Sequence, residues 1–245
     1  MNKIILVTGG NKGIGKATSI QLAKEGYFVC INYNTDKISA NRTLDEIINN
    51  NGKATAIQAD ISIEKSVIKL FNEIDKLDGT LVGLVNNAGV LGKQSRLAEM
   101  SSERILKTFN TNVIGTFLCS REAIKRMSKR FNGQGGGIVN ISSGASKSGS
   151  PDEYIDYAST KGAIDTFTIG LSKELASEGI KVNAIRPGFI ETEMHNIPNR
   201  LELVKDIIPM KRVGQPKEIA DVVSWLLSDK ATYTTGAIID VAGGK

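Results

Sequence analysis

The chain has 245 residues, 40% hydrophobic and 23% charged, with a formal net charge of +5; this suits one large α/β domain or two small ones. No apolar run reaches the ~18 residues of a membrane span. Cys30, Cys119 and the single histidine, His195, cannot supply a disulfide framework, a zinc site or a Ser-His-Asp relay.

Lysine and arginine are spread along the chain, which argues against nucleic acid as a partner. The first residues run into a strand-like segment without the long apolar region of a signal peptide. A cytoplasmic protein without metal, membrane or nucleic-acid chemistry is expected.

In chain order, residues 4–7 read as a buried strand, followed by Gly9, Gly13 and Gly15 and a helix that stops at Gly26. Glycines in such a turn let the backbone approach a pyrophosphate held at the helix N-terminus. A rival reading treats residues 10–16 as a phosphate-binding loop, but Ala17 stands where the Mg²⁺-binding hydroxyl belongs. The strand at 81–85 also ends in Asn86-Asn87 instead of the aspartate such a site needs.

The second strand, residues 27–32, leads to the uncharged Asn32-Tyr33, where an NAD-selective site would place Asp or Glu. Lys12 is the nearby cation for a 2′-phosphate, and Asp36 is expected to cap the next helix. NADP(H) is therefore favoured over NAD(H).

A helix at 37–50, a strand at 54–59, a helix at 64–77 and a strand at 81–85 continue the alternation of a parallel sheet. Nothing resembling a linker or a repeat interrupts it, so one domain is expected. A long helix over 102–130 carries Asn112 in its middle, where asparagine is unfavourable and needs a reason. The cluster at 133–137 reads as a loop, and 138–141 as a strand ending in Ser142-Ser143.

The following helix holds Tyr157 and Lys161, whose spacing puts them on one face. A phenol titrating near ~10 is a poor acid or base at neutral pH. An adjacent ammonium would lower that value, a drop of three units corresponding to roughly 4 kcal/mol. A strand at 180–185, an aperiodic lid-like segment at 189–210, a helix at 216–227 and a strand at 237–241 complete the chain.

Thr8-Gly9-x-x-x-Gly13-x-Gly15, Asp60, Asn86-Asn87-Ala88-Gly89, Asn112, Ser143, Tyr157-x-x-x-Lys161, Pro187-Gly188 and Thr192, in that order, resemble the pattern of the short-chain dehydrogenase/reductase family over nearly the whole chain. The resemblance implies a single-domain, doubly wound Rossmann-like sheet of about seven parallel strands with helices on both faces. It further implies an NAD(P)(H)-dependent oxidoreductase that interconverts a carbonyl and a secondary alcohol, assembled as a homotetramer or homodimer. Substrate alternatives are a 3-oxoacyl thioester, which the segment 31–33 suggests, and a sugar, polyol or small ketone, which residues 156–245 suggest.

The resemblance assigns proton transfer to Tyr157, tuning of the phenol and binding of the cofactor ribose to Lys161, binding of the substrate oxygen to Ser143, and a water relay to Asn112. Ser143 precedes Tyr157 by fourteen residues where the family commonly has thirteen, so Ser142 stays open as a fallback. Tyr154 is a decoy, since Ala158 and not lysine follows it by four. Cofactor contacts are expected from Thr8, Gly9, Asn11, Lys12, Gly13, Ile14 and Gly15 in the turn, and from Asn34 beyond the second strand. Asp60 and Ile61 follow the third strand, and Asn87, Ala88 and Gly89 the fourth. Pro187, Gly188, Ile190 and Thr192 complete the expected set, together with Tyr157 and Lys161 themselves. A catalytically silent NADP-binding sensor is the alternative from another class. His195 contacting substrate, and a basic group at Lys125, Arg126, Lys129 and Arg130 docking an acidic carrier, are further open readings.

Overall fold

Ile4, Ile5, Leu6 and Val7 are all fully buried, as expected of a strand covered on both faces. The computed structural model of the protein describes residues 1–193 and 204–245. Among them are seven strands: β1 (Asn2–Val7), β2 (Phe28–Tyr33), β3 (Lys53–Gln58), β4 (Gly79–Asn86), β5 (Gly136–Ile141), β6 (Ile180–Pro187) and β7 (Ile238–Val241). They form one sheet in the order β3-β2-β1-β4-β5-β6-β7. Every pairing is parallel.

The helices are α1 (Gly13–Lys24), α2 (Lys37–Asn49), α3 (Glu64–Ile74), α4 (Ser102–Phe109), α5 (Gly115–Met127), α6 (Ala145–Ser148), α7 (Ile155–Leu175) and α8 (Pro216–Leu227). Successive strand side chains point to opposite faces, and the two cores follow from that. Ile4 and Leu6 pack with Phe71 of α3, Met127 of α5 and Leu175 of α7. Ile5 and Val7 pack with Leu22 of α1, Ile47 of α2 and Val223 of α8. Because the chain leaves β1 in one direction through β2 and β3, then returns to β4 on its other side, a crevice opens where the order reverses.

The expected α/β architecture is the observed one, with three local corrections. The long helix predicted over 102–130 is interrupted: a π turn at Asn110–Ile114 separates α4 from α5, and the helical run ends at Met127. An inserted residue of this kind turns side chains off the regular helical register, and here it carries Asn112. Second, Gly136 and Gly137, expected in a loop, begin β5. At Gly136 a side chain would stand 2.3 Å from the carbonyl oxygen of Val82, so glycine is what lets the strand pass. Third, β4 begins at Gly79, two residues before the predicted start, because Asn2 and Lys3 pair with Gly79 and Thr80. Among the described residues no helix is long and apolar enough to cross a membrane.

Candidate active site

The carboxyl ends of the central strands open into a cleft of about 1440 Å³. A site for one drug-sized ligand measures roughly 300–1,000 Å³, so the cleft has space for a dinucleotide and a small substrate together. Most of the expected site residues line it. Thr8, Gly15 and Asn112 are buried just behind its wall and shape it.

The glycine turn is held to its neighbours by backbone and amide groups. Gly10 N–H donates to the Asn32 carbonyl (2.9 Å), and the Asn87 side chain donates to the carbonyls of Thr8 and Gly9 (2.9 and 3.0 Å). The Thr8 hydroxyl accepts from the N–H groups of Asn87 and Ala88, both at 3.0 Å, which locks the end of β4 against the turn. A side chain at Gly15 would lie 2.2 Å from the Gly9 carbonyl oxygen, and Gly9 itself has φ of +59°. The cradle is therefore one that only glycine can form, and it fits a pyrophosphate laid against the N-terminus of α1.

On the ribose side, Asn32 is buried, accepting from Gly9 N–H and donating to the Ala59 carbonyl, so it serves the fold and leaves Asn34 to face the cleft. Asn11 also lines the cleft and donates to the Asp36 carbonyl at 3.4 Å. Asp60 takes the N–H and hydroxyl of Ser62 (2.9 and 2.6 Å) at the cleft edge, with Ile61 beside it. Asp36 caps α2 as expected, accepting from Ser39 N–H at 2.9 Å. It also takes Lys12, 2.5 Å away, a pairing the sequence did not reveal. Lys12 holds the Asp36 carboxyl well below the usual range, and the Lys12 ammonium is pushed up in return. Lys16, the lysine of the rival phosphate loop, pairs with Glu46 at 2.8 Å and does not line the cleft, which removes that reading's key cation.

Deeper in the cleft, the first turns of α7 bring Tyr157 and Lys161 beneath the end of β5. Lys161 is buried; its Nζ donates to the Ile141 carbonyl at 2.7 Å and lies 5.5 Å from the centre of the Tyr157 ring. Burial pulls its ammonium down to about 8, opposed by Asp165. The Tyr157 phenol is pushed up by burial, opposed by its hydrogen bond with Ser143. Burial dominates at the phenol, and the contact that opposes it is a serine.

Ser143 also accepts from Ala145 N–H at 3.1 Å, whereas the buried Ser142 hydroxyl donates to the Lys161 carbonyl at 3.2 Å. Of the two serines, only Ser143 is placed on the phenol. Between Ser143 and Tyr157 the chain forms α6 and a loop in which Gly149, Ser150 and Asp152 all have positive φ. Asn112 accepts from Val90 N–H (2.8 Å) and donates to the Val90 carbonyl and the Thr160 hydroxyl (both 3.1 Å). A side chain at Gly89 would meet both Asn112 Oδ1 (3.3 Å) and Lys161 Nζ (3.7 Å), so these two groups share one small space.

Pro187 ends β6, and Gly188 N–H donates to the Val241 carbonyl at 3.0 Å. Ile190 is buried and bridges to Gly214. Thr192 packs over the glycine turn, its Cγ2 3.2 Å from where a Gly13 side chain would begin; Ile14 lines the same wall. Part of the predicted lid, residues 194–203, and with it His195, lies outside the described residues.

Several features were not foreseen. Arg104 on α4 grips Asp156, the residue before Tyr157, through two bonds of 2.9 and 3.1 Å, with Thr108 beside them. Gln94, Ser95 and Arg96 on one side of the cleft mouth bind Asp152 and Glu153 on the other. Such partners lie some fifty residues apart, and no local pattern announces them. Two of the four cations in the basic group at the end of α5 are paired, Lys125 with Glu122 and Arg126 with Asp75 and Glu122, which weakens its reading as a docking face.

A family model described as enoyl-(acyl carrier protein) reductase matches residues 9–245. An uncharacterized oxidoreductase, YgfF, of Escherichia coli (strain K12) is 54% identical over 99% of each chain. Glucose 1-dehydrogenase 2 of Bacillus subtilis (strain 168) is 39% identical, over 99% of this chain and 94% of its own length. Among solved structures, a doubly substituted mutant of a Serratia marcescens short-chain dehydrogenase/reductase superposes with a TM-score of 0.91 at 31% identity, covering 99% of this chain and 97% of the other. A blue fluorescent protein from a metagenomic library, in complex with NADPH, gives 0.90 at 30% identity with the same coverage.

Proposed function

The chain belongs to the short-chain dehydrogenase/reductase family of oxidoreductases, and from that premise we propose that it interconverts a carbonyl and a secondary alcohol with NADP(H), Tyr157 moving the proton. The observation that carries this reading is the convergence of Ser143, Tyr157 and Lys161 at the floor of a cleft whose other end is a glycine cradle.

The dinucleotide, when bound, supplies or accepts the hydride. The protein's own groups do the rest. Gly9, Gly13 and the N-terminus of α1 hold the pyrophosphate, and Pro187, Gly188, Ile190 and Thr192 border the carboxamide. Ser143 donates to the substrate oxygen, where negative charge develops on reduction. Tyr157 gives that oxygen its proton, which a phenol held protonated by burial is suited to do. Lys161, fixed on the Ile141 carbonyl, offers its remaining N–H groups to the cofactor ribose and its charge to the phenolate left behind. Asn112 acts one layer back, setting the loop of Gly89 and Val90 against α7.

The neutral Asn32-Tyr33 at the end of β2 and the cation Lys12 at the cleft support NADP(H) over NAD(H), as does the likeness to a protein solved with NADPH. Around the substrate end, polar Gln94, Ser148, Ser150 and Glu153 stand beside apolar Leu91, Pro151 and Phe189, which supports a carbonyl compound with both polar and apolar parts. Assembly into a homo-oligomer is supported by exposed apolar side chains on α4 (Leu106), α5 (Phe117) and α7 (Ile169), with Ile114 between. The buried, unpaired Cys30 and Cys119 agree with a reducing cytoplasm.

Tyr157→Phe tests the reading. Turnover of NADPH with a panel of carbonyl compounds should fall about 10³-fold, while NADPH affinity, measured by fluorescence titration, stays within about threefold. Undiminished turnover in that variant would remove Tyr157 from the mechanism.

A further inference from the structure

Resting on the proposed role of Lys161, one more element of the site emerges behind it. One helical turn beyond Lys161, on the same face of α7, lies Asp165. It is buried, and its Oδ2 accepts from Arg186 Nε and Nη2 at 3.0 and 2.9 Å. Its Oδ1 is also buried and accepts no hydrogen bond among the described residues. A buried carboxylate with one oxygen unpartnered is costly, and the α7 register aims its field back at the ammonium one turn away.

Asp165 is the charge that opposes the effect of burial on Lys161. β5 offers only the Ile141 carbonyl, the π turn only the neutral Asn112 beside Gly89, and α7 itself the neutral phenol of Tyr157. Beyond Asp165 the charges continue in alternation: Arg186 on β6 reaches Asp240 on β7 (3.7 Å), and Asp240 takes Lys147 of α6 at 2.9 Å. Lys147 lines the cleft and sits four residues after Ser143.

We propose that Asp165 and Arg186 are positioning residues that set the charge on Lys161 from opposite sides, Asp165 retaining the ammonium's proton and Arg186 limiting how strongly it does so. Neither touches substrate or cofactor. Removing the carboxylate takes away a negative charge from beside Lys161, so its proton leaves at lower pH. Removing the guanidinium unmasks that carboxylate, so protons leave at higher pH.

The test is a pair of titrations on wild type, Asp165→Asn, Arg186→Gln and the double variant. In one, the Lys161 resonance is followed by NMR of the full chain, labelled with carbon-13 at lysine Cε, without substrate. In the other, the alkaline limb of turnover with NADPH is recorded. Asp165→Asn should move both midpoints down by about one pH unit, the size of a charge one turn away partly offset by its partner. Arg186→Gln should move them up, and the double variant should return close to wild type.

Opposed shifts that cancel are not what loosened packing would produce, since a purely structural role makes both variants lose turnover at every pH. Unmoved midpoints, or shifts of the same sign in both single variants, overturn the proposal. If Asp165→Asn does not fold, Arg186→Gln alone decides, upward movement supporting and its absence refuting. A wild type that reduces no carbonyl would defeat the functional reading, and the NMR titration would still decide this one.

Discussion

On the β1–β3 side of the cleft Lys12 and Asp36 are partly exposed to water, whereas the charges that flank Tyr157, Asp156 and Lys161, are enclosed. The Lys12 and Asp36 side chains are 43% and 33% exposed; that of Asp156 is 1% exposed, and Lys161 is 4% exposed. The first region grips its ligand with backbone and glycine, so its ionic groups tune selectivity and contribute little to stability. In the second region these charges are desolvated and have fixed partners, so the same kind of change is felt by the fold as well as by the chemistry.

The sharpest way to break this contrast is to remove one cation from each side. Arg104→Ala leaves Asp156 buried with only Thr108 for company, and should lower unfolding free energy by about 3–5 kcal/mol in a urea titration. Lys12→Ala should change it by less than about 1 kcal/mol in the same experiment. Comparable losses would mean that burial does not separate the two regions.

Next in size is an effect of pH. Lys161 has a folded-state value of about 8 against its ordinary 10.5. Below pH 8 both folded and unfolded chains hold the proton, and the buried charge weighs against the native state. Between about 8 and 10.5 the unfolded chain binds more protons, so this group's contribution to stability rises with pH. Lys161→Met should therefore be more stable than wild type at pH 7, by up to about 3 kcal/mol, while turnover is lost. Thermal melts at about pH 7 and pH 10 should show that gap narrowing; a gap that stays constant would assign the effect to packing.

The smallest effect concerns the cofactor. Lys12 is tied to Asp36 and yet lines the cleft, so a 2′-phosphate must compete with that carboxylate. Lys12→Ala should reduce the preference for NADPH over NADH about tenfold at low salt, an effect that added salt weakens. Asp36→Asn should raise NADPH affinity slightly, measured by fluorescence titration with both cofactors. An unchanged ratio in both variants would move phosphate recognition to Asn34 and its neighbours.

The exposed side was the more legible of the two. Strand, glycine turn and helix follow one another within about thirty residues, and Asp36 announces a cap by its position. On the buried side, Tyr157 and Lys161 were legible as a pair because helical spacing is local. The residues that act on them were not. Ser143 reaches Tyr157 across a loop with several left-handed residues, and Asn112 reaches Val90 from a π turn. The phenol is pushed up by burial, which no spacing displays, against an opposing contact from Ser143.

By itself, the sequence determined the α/β alternation, the glycine cradle and the presence of tyrosine and lysine on one helix face. These depend on backbone sterics and on periodicity, which act between near neighbours. Only the tertiary structure decided which serine meets the phenol, that Lys12 is already paired, and that Asp165 and Arg186 stand behind Lys161. Those outcomes depend on distance and desolvation between residues far apart in the chain, quantities that exist only once the sheet has brought its strand ends together.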